Sequence, residues 1–187
     1  MKREHHTIVA LVEDRPGVLN RIASKWRQRG FNIESLAVGH SEVPGLSRMT
    51  FVVDAATTDV EQVVKQVDKL VDVVHIEDIT EDDVVSRELA LIKVHSTPQT
   101  RSEILQIVDI FRATIVDVTS ESLIVEVTGD EAKLDSLLKL LAEYGIIELC
   151  RTGRIAMSRG SSRVAPEDEP HLLLPHLQHG RAPGGIY

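Results

Sequence analysis

The order of the predicted secondary-structure elements, which occurs twice along the chain, restricts the fold more than any other feature of the sequence. In the first half the hydrophobic periodicity predicts a strand, a helix, two strands, a second helix and a closing strand. The strands fall at residues 6–12, 31–39, 46–54 and 72–79, the first helix at 17–29, and the second helix carries Val60, Val63, Val64, Val67 and Leu70. Polar turns such as residues 41–45 join these elements, so one small domain can hold them all.

The same order follows in the second half, after the acidic stretch 80–83 that we interpret as a linker. Its predicted elements are a strand at 87–94, a helix after Thr100, strands at 114–118 and 123–128, a helix with a leucine stripe from Leu134 to Leu141, and a strand at 146–157. The order β-α-β-β-α-β is the ferredoxin-like arrangement. The sequence therefore predicts an α+β protein of two tandem ferredoxin-like βαββαβ domains, at residues 1–80 and 84–158. Prolines interrupt residues 159–187, which we expect to form a flexible tail.

The composition excludes several classes of protein. Aromatic residues make up 3% of the chain, so the cores must be built from Val, Leu and Ile. A net charge of −8 argues against nucleic acid or an anionic membrane as a partner. The only cysteine, Cys150, rules out an intrachain disulfide and fits a reducing compartment. Because the first strand begins close to Met1 and no apolar run is long enough to span a membrane, we expect a cytoplasmic protein.

The loop after the first strand has the composition of an anion-binding site. Gly17 stands where the first helix begins, and a glycine leaves the first helical N–H groups unscreened by a side chain. These groups carry the positive end of the helix dipole and suit a carboxylate or a phosphate. Asp14 could cap this helix or hold a ligand's ammonium group, and Asn32 offers both donors and an acceptor. These residues indicate an amino-acid pocket, although the same loop would also serve as a plain strand-to-helix turn.

No pattern for catalysis is found in the sequence. The GxGxxG, GKS/GKT, HExxH, GxSxG and CxxC motifs are all missing. Three histidines in the C-terminal tail are not aligned for zinc because Pro175 lies between them. The carboxylates of residues 81–83 are interpreted as a solvated linker, and Cys150 as a small core residue. We therefore predict no catalytic residue, no metal site and no cofactor in this chain.

Several stretches together resemble a known family. Residues 14–19, Asp-Arg-Pro-Gly-Val-Leu, resemble the first loop of ACT domains, which are small modules that bind amino acids. The run at 29–36, Arg-Gly-Phe-Asn-Ile-Glu-Ser-Leu, resembles the regulatory (small) subunit of acetolactate synthase, also called acetohydroxyacid synthase. Residues 46–50, 69–73 and 110–113 resemble it too, and the likeness covers about residues 4–160.

The resemblance implies a regulatory function. A subunit of this family is expected to bind and activate the large catalytic subunit, which holds thiamine diphosphate, Mg and FAD, and to confer feedback inhibition by valine. It is also expected to form a homodimer or a higher homo-oligomer, with the effector between two copies. The effector residues carried over to this sequence are Asp14, Arg15, Pro16, Gly17, Val18, Leu19, Asn32 and Ile33. The family often has asparagine where this chain has Asp14, which changes the charge beside the effector.

Two other functions are compatible with the residues. A stand-alone amino-acid sensor could control an unrelated enzyme or regulator, and it would purify without a thiamine-dependent partner. A small enzyme could use the same scaffold, because ferredoxin-like folds carry many functions. Such an enzyme would need a cleft with a converging acid–base set, and the sequence indicates none.

Overall fold

A computed structural model describes residues 4–55 and 57–160. The chain divides into two compact units, the first over most of residues 4–82 and the second over Asp83–Arg159 together with Ser35–Ala37. Each unit has its own sheet, with helices that bury their apolar faces. Across the described residues, no helix has the length and apolar character needed to cross a membrane.

Unit 1 contains a four-stranded sheet and two helices. Its elements are the strands Glu4–Glu13 (β1), Ile33–His40 (β2), Leu46–Ala55 (β3) and Val73–Asp78 (β4), with the helices Val18–Gln28 (α1) and Thr57–Val67 (α2). The strand order is β2-β3-β1-β4, and β1 is antiparallel to both of its neighbours. β2 is therefore an edge strand, which leaves one row of its backbone groups unpaired within the unit.

The core of unit 1 is centred on β1. Residues Ile8 to Val12 are at most 2% exposed, so side chains on both faces of this strand are buried. α1 contributes Val18, Ile22 and Trp26 to the core, at the spacing of one helical stripe. The Trp26 ring lies 6.1 Å from the ring of Phe51 on β3, in a tilted aromatic pair.

Unit 2 repeats this order and adds a short strand. Its elements are the strands Val84–His95 (β5), Thr114–Val118 (β6), Ser122–Gly129 (β7), Ile146–Arg151 (β8) and Ile155–Ser158 (β9), the helices Arg101–Ile110 (α3) and Glu131–Leu141 (α4), and a 3₁₀ turn at Ala142–Tyr144. The strand order is β6-β7-β5-β8, and β9 pairs with the beginning of β5. The predicted fold class, two βαββαβ units, is confirmed.

The closing strand of unit 2 differs from the prediction. The sequence predicted one strand at 146–157, whereas the structure has β8 and β9 with a break between them. Gly153 in this break has φ +84°, outside the strand region of the backbone map. β5 begins three residues earlier than predicted, at Val84, because β9 pairs with Val84–Arg87.

The interpretation of Cys150 as a core residue is wrong. Its side chain is exposed. It lies opposite Leu91, on the face of the sheet away from the buried Ala90 and Ile92. β8 is also an edge strand, so a neighbouring strand covers it on one side only.

A bidentate ion pair joins β5, β8 and α4. Arg151 donates from Nε to Glu88 Oε1 and from Nη2 to Glu88 Oε2, both at 2.7 Å, and from Nη1 to Asp135 Oδ1 at 3.3 Å. The Glu88 side chain is only 9% exposed. Hydrogen bonding to Glu88 raises the pKa of Arg151. Arg151 therefore compensates the negative charge of Glu88, which would be costly to bury alone.

Candidate functional site

The N-terminal end of α1 presents backbone donors with no acceptor. The N-cap residue is Gly17, no side chain caps the helix, and its first turn has no acidic residue. The Arg21 N–H donates to the Gly17 carbonyl at 3.0 Å, which is the first bond of the helix. In the described part of the chain the N–H groups of Gly17, Leu19 and Asn20 donate to no acceptor. These groups, which we call the amide cluster, can bind a carboxylate together with the helix dipole.

Gly17 is required by the backbone conformation of this turn. Its φ of +87° lies in the left-handed region, where residues with a side chain are strained. There is space for a side chain, because the nearest atom to a Cβ built on Gly17 is Arg21 Nη1, at 3.8 Å. A substitution at this position therefore adds backbone strain and places its side chain next to the amide cluster.

Arg21 adds a positive charge beside the amide cluster. Its Nε lies 2.8 Å from Asp72 Oδ2 in an ion pair, and the Asp72 side chain is only 9% exposed. Asp72 is held in turn, because its carbonyl accepts the Glu13 N–H at 2.9 Å. The sequence-based site did not include Arg21. The signal was present in its spacing, since the side chain four residues after Gly17 lies on the same helical face and leans toward the N-terminus.

Asp14 lies near the amide cluster but does not cap α1. Its N–H donates to the Gly45 carbonyl at 2.9 Å, which fixes the backbone after β1. Its carboxylate Oδ2 instead lies 3.3 Å from Nδ1 of His40, the last residue of β2. Asp14 was proposed either to cap the helix or to hold a ligand's ammonium group. The structure contains no such cap, and the carboxylate is accessible to a ligand. The neighbouring Arg15 pairs with Glu13, with Nη1 and Oε2 3.1 Å apart.

Asn32 and Ile33 lie at the opposite end of the same sheet. Glu34, on the strand that Ile33 begins, reaches His5 near the start of β1, with Nδ1 and Oε2 2.8 Å apart. The amide cluster follows the other end of β1, after Glu13. Eight residues of strand span about 26 Å, so Asn32 and the amide cluster are on the order of 20 Å apart within one chain. One copy therefore does not bring the predicted effector residues together.

Further charges surround the end of β1. Arg48 on β3 lies opposite Leu11 and is partly buried, and this burial lowers its pKa, while Glu42 and Glu77 act in the opposite direction. A guanidinium keeps its charge at neutral pH even after a substantial shift. Among residues 4–55 and 57–160, no three His, Cys, Asp or Glu side chains are close enough to hold a metal ion. The histidines of the tail lie outside the described residues.

The fold and the amide cluster define a class of two-domain α+β proteins whose first unit is an ACT-type module. Residues 8–75 match the family described as the AHAS small subunit-like ACT domain. Residues 87–160 match the family described as the small subunit of acetolactate synthase. The chain belongs to the acetolactate synthase small subunit family.

Individual relatives agree with this assignment over most of their length. The chain is 53% identical to a probable acetolactate synthase small subunit of Archaeoglobus fulgidus, over 84% of this chain and 99% of the relative. It is 48% identical to the acetolactate synthase small subunit of Bacillus subtilis, over 87% of this chain and 95% of the relative. The crystal structure of the Thermotoga maritima small subunit superimposes with a TM-score of 0.78 at 41% identity, covering 85% of this chain and 99% of that one.

Proposed function

We propose that this chain is the regulatory subunit of acetolactate synthase, that it activates the thiamine-diphosphate catalytic subunit and that it makes the complex sensitive to feedback inhibition by valine. The family assignment supports a catalytic subunit as its partner. The synthase condenses pyruvate with a second 2-oxo acid to give precursors of valine, leucine and isoleucine. Thiamine diphosphate, Mg and FAD belong to the catalytic subunit in this proposal. The chain itself performs no catalytic step, and it acts in the cytoplasm.

The uncapped amide cluster is the observation that carries the effector proposal. The N–H groups of Gly17, Leu19 and Asn20 have no carboxylate of their own chain in the first turn, and the guanidinium of Arg21, paired with Asp72, lies nearby. A free amino acid supplies that carboxylate, and its ammonium group then lies near Asp14. Glycine at position 17 lets the ligand approach the backbone closely.

The position of Asn32 supports an effector site shared by two copies. β2 is an edge strand, and it contains neither the Lys nor the Pro that commonly protect such edges. If two copies pair antiparallel through β2 about a two-fold axis, Ile33 of one copy lies near His40 of the other. That pairing brings Asn32 of one copy to the Asp14–Gly17 loop of its partner. A dimer then holds two identical composite sites.

Mixed dimers test this proposal directly. Differently tagged chains are co-expressed, and the dimers that contain one of each are purified and titrated with valine by calorimetry. In the trans dimer, one chain carries Gly17→Asp and the other carries Asn32→Ala. In the matched cis dimer, one chain carries both changes and the other none.

The two dimers give opposite results for the two possible sites. If each site is shared by two copies, about one intact site remains in the trans dimer and none remains in the cis dimer. A site within one chain leaves none in the trans dimer and one in the cis dimer, and this outcome overturns the shared site. If the unchanged protein binds no branched-chain amino acid, the effector proposal itself is wrong.

A further inference from the structure

The Asp14 carboxylate and the His40 imidazole form a contact at the effector end of unit 1. The Oδ2 and Nδ1 atoms are 3.3 Å apart, and the side chains are 47% and 86% exposed. The backbone of Asp14 is fixed by its bond to Gly45, and His40 ends a regular strand. The backbones that carry both groups are therefore fixed, and within one copy the two side chains are accessible to a ligand.

This contact places an imidazole on the carboxylate that would receive the effector's ammonium group. A carboxylate that is bonded to an imidazolium has less negative charge available for a second cation. Histidine is the side chain whose charge ordinarily changes around neutral pH, whereas a free amino acid stays zwitterionic there. The two cations, imidazolium and effector ammonium, therefore compete for Asp14 at low pH.

We propose that His40 is a further residue of the effector site and that it makes effector affinity pH-dependent. Protonated His40 holds the Asp14 carboxylate and repels the effector's ammonium group, and neutral His40 releases the carboxylate to the effector. This inference rests on the proposed function, because it assumes that an amino acid binds at the amide cluster. The affinity for valine is then higher at pH 8 than at pH 6.

The size of the effect follows from the exposure of both groups. A unit charge about 6 Å from the ammonium, at an effective dielectric constant between 40 and 80, changes the dissociation constant about three- to tenfold. Since the groups are exposed, added salt reduces this change.

The other charged groups around this pair within one copy are carboxylates and guanidinium groups. They come from β1 and the loop after it (Glu13, Arg15), from α1 and the turn before β4 (Arg21, Asp72), and from β3 and the loop before it (Arg48, Glu42). Carboxylates and guanidinium groups ordinarily do not titrate between pH 6 and pH 8. Within one copy, His75 on β4 is the other imidazole of this end. It lies opposite Leu11 and contacts Glu77 at 3.5 Å, which makes it a matched control.

The test is a calorimetric titration of the full-length chain with valine at pH 6, 7 and 8, at constant ionic strength. The unchanged protein should bind valine about three- to tenfold more tightly at pH 8 than at pH 6. His40→Gln should bind with one affinity across this range, equal to that of the unchanged protein at pH 8. Asp14→Asn should also be insensitive to pH, and weaker than the unchanged protein at pH 8. His75→Gln should keep the full pH dependence.

Each contrary result has a distinct meaning. If His40→Gln retains the pH dependence, or if affinity increases toward pH 6, the role of His40 is overturned while the effector site stands. If valine binds at no pH, the effector proposal fails and this inference fails with it. If only His75→Gln loses the pH dependence, the effect belongs to His75 and the role of His40 is overturned.

Discussion

Replacing Gly17 with Asp and, separately, with Asn tests whether the amide cluster binds the effector's carboxylate. Both residues tolerate the left-handed φ of +87° better than most, and their side chains have the same shape. They differ in charge only. Because the space beside Gly17 is open, neither side chain is forced into a clash. The difference between the two variants therefore measures the electrostatic part of effector binding.

The magnitude follows from distances at the site. A carboxylate on residue 17 would lie about 5 Å from a carboxylate bound to the amide cluster, which costs roughly 1–3 kcal/mol at an effective dielectric constant between 20 and 80. The Asp side chain can also accept the free N–H groups itself, which removes further hydrogen bonds from the effector. We expect Gly17→Asn to weaken valine binding about tenfold or less, and Gly17→Asp to weaken it about a hundredfold or more.

The assay measures acetolactate formation by the catalytic subunit, mixed with each variant, across a valine series. Gly17→Asp should still activate the catalytic subunit but resist valine, because effector binding and assembly are separate equilibria. Equal valine sensitivity of the Asp and Asn variants would refute the carboxylate-binding role of the amides. Loss of activation in Gly17→Asp, with activation intact in Gly17→Asn, would show that this loop is an assembly surface.

Three further predictions concern the charges and the cores. Arg21→Met should lower valine affinity about tenfold, measured by calorimetry, because the guanidinium lies beside the amide cluster; unchanged affinity would place it outside the site. Arg151→Met should lower the free energy of unfolding by about 2–3 kcal/mol in urea, since it leaves the Glu88 charge buried, and adding Glu88→Gln should recover part of this loss. An additive double variant would contradict the pairing. Trp26→Ala should cost about 3–5 kcal/mol, seen as earlier urea unfolding by circular dichroism, and a loss below 1 kcal/mol would contradict its full burial.

Local patterns were sufficient for the fold because each element shows its own periodicity. The stripe of Val18, Ile22 and Trp26 has helical spacing, and it is the stripe that α1 buries. The split of the last strand was harder to predict, since the polar stretch Arg151-Thr152-Gly153-Arg154 fits a bulge within one strand as well as a break between two. Only the pairing partners along β5 decide between these possibilities, and pairing is a long-range property.

The sequence was sufficient to predict which loop carries the candidate site, but not the distances between its side chains. Gly17 and the free amides follow from the position of a glycine at a helix start. The contact of Asp14 with His40 depends on where β2 ends, which no local pattern specifies. The distance between Asn32 and Gly17 likewise depends on the direction of the strands. The two residues are only fifteen positions apart in sequence, and this separation alone does not fix the distance.

The pairing of β5 with β9 has a consequence for the synthesis of the protein. Val84 pairs with Ser158, so the sheet of unit 2 is complete only when nearly all of its residues have left the ribosome. Unit 1 is closed much earlier, by the pairing of Ile8 with Asp78. Domains generally fold in the order in which they are translated, and non-local strand pairing is slow. Unit 1 can therefore reach its native form on the ribosome while the strands of unit 2 still await their last partner.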